Sequence, residues 1–125
     1  MADAADFRRL VLALPDTVEG AHHGHADFRM HGRVFASLDA AEARGMVHLA
    51  PELQRALAAE DAAFVPANGA WGRQGCTMVQ LADVALPRLR AAITAAWQRS
   101  LEAGAAKASP RPRQRPGTGG RRGKR

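Results

Sequence analysis

The chain has 125 residues, 46% apolar and 24% charged, a balance that suits one soluble globular domain and excludes a disordered or fibrous chain. No apolar run is long enough to cross a bilayer, and the opening Met1-Ala-Asp-Ala-Ala-Asp-Phe7 lacks the basic-then-apolar layout of a signal peptide. Cys76 is the sole cysteine, so an intrachain disulfide is excluded and a reducing, cytoplasmic setting is expected.

The formal charge of +6 is unevenly spread. Residues 104–125 hold eight of the 18 Lys and Arg and no acid, which leaves ten against 12 Asp and Glu in residues 1–103. A slightly acidic folded domain, 1–103, is therefore expected to carry a disordered basic tail, 104–125.

Phe7, Leu10, Val11 and Leu14 fall on one stripe of a helix over Asp3–Leu14, with Asp3 as its cap and Pro15-Asp16 as its stop. Thr17 to Gly24 is ambiguous and compatible with a short edge strand. Asp27–His31 and Arg33–Leu38 read as two strands joined at His31-Gly32, the second apolar on both sides and hence central. Gly45 suits a left-handed position before a strand over Met46–Ala50. Pro51 opens a short helix to about Glu60 with Leu53, Ala56 and Leu57 as its buried stripe. Phe64-Val65-Pro66 leads into a glycine-rich turn, Asn68 to Gly75, and Cys76–Leu81 is the next strand. Asp83 is placed to cap a last helix that tolerates Pro87 in its first turn. Its stripe is Leu86, Leu89, Ile93, Ala96 or Trp97, and Leu101, and periodicity ends beyond Gly104. Hairpins outnumber strand–helix alternations, so the predicted class is α+β, two-layer, an antiparallel sheet with helices mainly on one face.

Several separated motifs carry a family resemblance. Phe7-Arg-Arg-Leu10, Ala13-Leu-Pro15, the run Glu19-Gly-Ala-His-His-Gly-His-Ala-Asp-Phe-Arg-Met-His-Gly-Arg-Val-Phe-Ala36, the helix start Pro51-Glu-Leu53 and Gly69-Ala-Trp-Gly-Arg-Gln-Gly-Cys-Thr77 together resemble the MmcQ/YjbR family of small bacterial proteins over residues 6–100. The resemblance implies a two-layer fold similar to that of secretion chaperones, with paired β wings, and a DNA-binding role proposed for the family by structural analogy. It brings no catalytic residues. The chain departs from the family pattern at His23, His31 and Cys76, and the tail lies outside it.

Candidate chemistry is sparse. His22, His23 and His25, with His31 and His48 further on, raise a zinc site, but no Cys or acid stands at a supporting spacing, and a solvated loop explains them as well. Cys76 as a nucleophile would need a base beside it and a lowered pKa, for which Arg73 is the neighbouring cation. The expectation is no catalytic residue, no metal and no cofactor.

The turn offers Trp71 to stack on a base, Arg73 to pair with phosphate and Gln74 to read a base edge, although the indole could instead anchor the loop on the core. Arg29 and Arg33 on the hairpin would extend a basic face, and Asp27, Asp39 and Glu42 are close enough in sequence to cancel it. In the tail, Arg111, Arg113, Arg115, Arg121, Arg122, Lys124 and Arg125 offer sequence-independent, salt-sensitive contacts to the phosphates of DNA or RNA. The leading expectation is a non-enzymatic nucleic-acid-binding protein. The alternative is a protein-interaction scaffold or homodimer built on the chaperone-like fold.

Overall fold

A computed structural model describes residues 2–22 and 25–108. Helix α1 (Ala4–Leu12) starts at the predicted Asp3 cap, whose carboxylate accepts from the Asp6 N–H, and the Asp6 carboxylate accepts in return from the Asp3 N–H. Its chain reverses through Asp16, at φ 60°, into β1 (Thr17–His22). β2 (His25–Met30) and β3 (Arg33–Asp39) form the predicted hairpin, with His31 and Gly32 at φ 53° and 82° as its two-residue turn. β4 (Arg44–His48), α2 (Pro51–Glu60), β5 (Phe64–Pro66), α3 (Gly69–Arg73), β6 (Cys76–Gln80) and α4 (Leu86–Ala108) follow. One antiparallel sheet runs β1-β2-β3-β4-β6-β5, and the class is the predicted α+β.

The two faces of the sheet differ because side chains alternate. Phe28 and Met30 of β2, Leu38 of β3, Val47 of β4 and Val79 of β6 are buried with Phe7 and Val11 of α1 and Leu89 and Ile93 of α4. The Phe7 and Phe28 rings meet tilted, with centroids 6.1 Å apart. In β3 the register slips: Phe28 faces Ala36 while Arg29 faces Val34, leaving Phe35 as an extra residue. The bulge turns both Phe35 and Ala36 into the core, which is why this strand reads as apolar on both sides. Met46 and Met78 pair across β4 and β6 on the opposite, open face, where Val34 and Val65 are exposed.

Four local expectations are corrected. The left-handed residue before β4 is Ala43, at φ 50°, not Gly45. Gly45 lies within the strand, where a Cβ would stand only 2.4 Å from Cε2 of Phe7, so its glycine makes room for the ring. Asp83 does not cap α4; it ends a short 3₁₀ turn, Leu81–Asp83, and Ala85 accepts the first helical bond from Leu89. On α2 the buried residue is Gln54, while Ala56 is exposed. On α4, Leu86 and Leu101 are exposed at the ends of the stripe, and Trp97 docks by donating its indole N–H to the Pro15 carbonyl at 3.0 Å. The helix continues to Ala108, past the loss of periodicity at Gly104.

Gly45→Ala is expected to lower stability by about 1–3 kcal/mol, the range for overpacking a core. Urea unfolding measures it, and an unchanged midpoint would mean that the Phe7 ring has space to retreat.

Candidate nucleic-acid interface

The glycine-rich segment folds as a short helix between two close approaches rather than as an open turn. Gly69 begins it at φ 66°, but Gly72 and Gly75 are there for space. A Cβ on Gly72 would lie 1.8 Å from the Ala67 carbonyl oxygen, and one on Gly75, at φ 112°, 1.8 Å from that of Leu49. Those contacts bring the segment against the ends of β4 and β5, where the Leu49 N–H donates to the Gly75 carbonyl and the Ala67 N–H to that of Cys76, both at 2.9 Å.

The anchor of the segment is Gln54, not Trp71. The buried Gln54 carboxamide donates to the carbonyls of Gly72 and Cys76, each at 3.0 Å, and to the Thr77 hydroxyl at 3.1 Å. The Thr77 hydroxyl in turn donates to the Gly75 carbonyl at 3.0 Å. Two amide hydrogens thus serve three acceptors, adding a second bond to the Gly72 and Cys76 carbonyls, which also accept from the Gly75 and Ala67 N–H groups. The sequence pattern hides this role, since a glutamine between leucines on a helix reads as solvent-facing.

Relieved of anchoring, the Trp71 indole is 67% exposed. It borders a cleft of about 510 Å³ on the open sheet face, walled by Val34, Met46, Met78, Cys76 and Ser37. Arg73 and Gln74, on the same segment, are exposed. Arg73 shares a shallow groove with Arg55, a cation that the sequence reading missed because it lies on a different element. Among the described residues neither Arg55 nor Arg73 makes an ion pair, and the same holds for Arg33 and Arg99.

Arg29 is placed differently from Arg33. Its guanidinium clasps the buried Asp27 carboxylate with two contacts of 3.2 Å, which raises its own pKa further. Arg44 faces Asp39 at 3.8 Å. The acids on the hairpins therefore neutralise part of the basic face. Arg111, Arg113, Arg115, Arg121, Arg122, Lys124 and Arg125 lie outside the described residues.

The side chain of His22 and all of His23 lie outside the described residues, and the three described histidines do not converge. His25 sits 3.8 Å from Asp39, His31 3.3 Å from Asp16, and His48 faces Arg99. Among the described residues no three His, Cys, Asp or Glu side chains are grouped to hold a metal ion. Cys76 is buried, and desolvation pushes its thiol pKa up; the cation acting against that shift is Arg99 rather than Arg73. Such a thiol is protonated at neutral pH and poorly nucleophilic.

Gln54→Glu is expected to destabilise the fold at pH 7 by about 3 kcal/mol or more, since a carboxylate cannot donate to the carbonyls it would face. Its folded-state pKa would be raised, so the deficit should grow as pH rises above the ordinary glutamate value of about 4.3 and shrink below it. Urea midpoints at pH 4 and pH 7, set against those of Gln54→Met, measure this. Equal deficits for Glu at both pH values would show that Gln54 does not act through its donors.

Comparison with known proteins places this architecture. The YjbR family model matches residues 12–99. No curated protein matches the chain. The crystal structure of Deinococcus radiodurans protein DR2400, described by the family domain DUF419, is similar at a TM-score of 0.72 with 18% identity, over 86% of this chain and 85% of that one. At that identity the likeness concerns the fold, which it shares across both layers. The match spans all six strands of the sheet, α2, α3 and α4 as far as Arg99, and the chain belongs to the YjbR family.

Proposed function

We propose that this protein binds single-stranded nucleic acid without catalysing a reaction on it. The observation that carries the reading is the exposed Trp71 indole beside an open, apolar sheet face. A large indole held out in solvent beside methionines is a stacking platform, and unstacked bases are what such a platform accepts. Arg73 and Gln74 stand on the same short helix to meet phosphate and base edge, with Arg55 extending the cationic side. Of the two hairpin arginines, Arg33 lines the pocket under α4 rather than the cleft, and Arg29 is committed to Asp27. The tail cations Arg111 to Arg125 supply sequence-independent attraction, which makes the binding steeply salt-dependent. A reducing cytoplasm suits the one thiol, buried and unpaired. Among the described residues no helix is long and apolar enough to cross a membrane.

A second reading is favoured by the same cleft. Its walls are chiefly apolar, which suits a peptide segment or a second copy of the chain, in line with an interaction scaffold. Salt separates the two, since burial of apolar surface persists at high salt and phosphate contacts do not.

Fluorescence anisotropy with a labelled single strand is the test. Trp71→Ala is expected to weaken binding by about tenfold, within the range for losing one base stack, while leaving the unfolding midpoint unchanged. A chain ending at Ala108 should bind more weakly and with a flatter salt dependence. If Trp71→Ala binds like the parent, the sheet face is not the nucleic-acid surface; if neither full-length protein nor variant binds at physiological salt, the scaffold reading takes over.

A further inference from the structure

A second, smaller pocket opens where β3 and β4 meet α4. Arg33 enters it from the start of β3, His48 from the end of β4, and Arg99 and Ser100 from α4, over a floor of Phe35 and Ala96. Three of those residues are cationic or can become so, and among the described residues no acid lines the pocket. Its volume of about 30 Å³ admits the oxygens of one small group rather than a whole ligand.

Two of its polar atoms have no partner among the described residues. Ser100 is only 7% exposed, and its hydroxyl has no hydrogen-bond partner, although a helical serine ordinarily back-bonds to the carbonyl four residues earlier. Nε2 of His48 is buried without a partner as well. Buried polar atoms are rarely left so, and two in one pocket, beside two arginines with no carboxylate partner among the described residues, call for an oxygen-rich anion. The β3 bulge sets this up. Met30 pairs with Arg33 on the helix-facing side, and the extra residue Phe35 then carries the strand across the pocket floor.

We propose that the Arg33–His48–Arg99–Ser100 pocket is a binding site for a single phosphoryl group. The two guanidiniums neutralise it, the Ser100 hydroxyl donates to one of its oxygens, and the His48 imidazole takes up a proton as the anion enters. Empty, the site holds His48 below its ordinary pKa, through burial first and then Arg99 and Arg33, with the Val34 backbone acting in the opposite direction. The other titratable group near it is the Cys76 thiol, its cross-strand partner on β6, which is neutral. Bound anion reverses the sign of the local field. The site stands apart from the nucleic-acid reading, because it needs neither Trp71 nor the tail.

The experiment titrates inorganic phosphate into the full-length protein at constant ionic strength, held with chloride, and follows the His48 imidazole and the Ser100 amide by NMR. Saturable shifts at both residues are expected, with the His48 pKa moving up. Arg99→Gln should weaken the affinity by about tenfold or more, the loss of a charge-assisted contact. Ser100→Ala, which keeps the helix and removes one oxygen, should weaken it less. Arg90→Ala, on an exposed part of α4, and Trp71→Ala should leave it intact. Shifts produced equally by chloride, or surviving Arg99→Gln in a protein that keeps its parent spectrum, would overturn the site. Oligonucleotides with and without a 5′-phosphate identify the source. A preference for the phosphorylated end that Arg99→Gln abolishes assigns the group to a strand terminus, and equal binding of both assigns it to a free small phosphate.

Discussion

The carboxamide of Gln54 is the contact on which the working side of the molecule depends. From a helix at the sheet's margin it reaches two carbonyls and a hydroxyl at the start of β6. Without it, the two carbonyls would keep only their backbone bonds from the Gly75 and Ala67 N–H groups, and the Thr77 hydroxyl would lose its donor. The two close glycine contacts are the steric half of the same arrangement, since they let the α3 backbone come near enough for one side chain to span it. A tightly bonded backbone leaves the Trp71 side chain with no structural duty, and an indole exposed for no structural reason calls for a ligand.

The architecture was legible in the sequence where a local pattern and a tertiary need agree. The α1 stripe of Phe7 and Val11, the Asp3 cap, the His31-Gly32 reversal and the proline start of α2 all follow from spacing or backbone preference alone. Gly45 went the other way. Its glycine answers to the Phe7 ring from the other layer, which no local pattern encodes, while Ala43 accepted the positive φ that glycine would have taken more easily. Asp83 failed as a cap because Leu81 and Val84 are both buried and draw the chain into a 3₁₀ turn before α4 begins.

The candidate site was legible in part. Trp71, Arg73 and Gln74 adjoin one another in sequence and remain together on α3. Arg29 and Arg33 looked equivalent, four residues apart on one hairpin. Pairing separates them: Arg29 shares a face with Asp27, and Arg33 falls on the side that meets α4. Arg99 and Ser100 carried no signal, because a serine and an arginine on an amphipathic helix look like its wet side. Only the packing of α4 over a bulged strand brings them to His48.

Val34 and His48 belong to the walls of both the open-face cleft and the phosphoryl-sized pocket. The two cavities therefore share a boundary. A guest in the cleft that moves the His48 ring alters the cost of placing charge behind it, and by linkage an anion in the pocket must change the cleft's affinity by the same factor. One imidazole, shared through a one-residue irregularity in β3, gives a small domain a means of making two occupancies depend on each other.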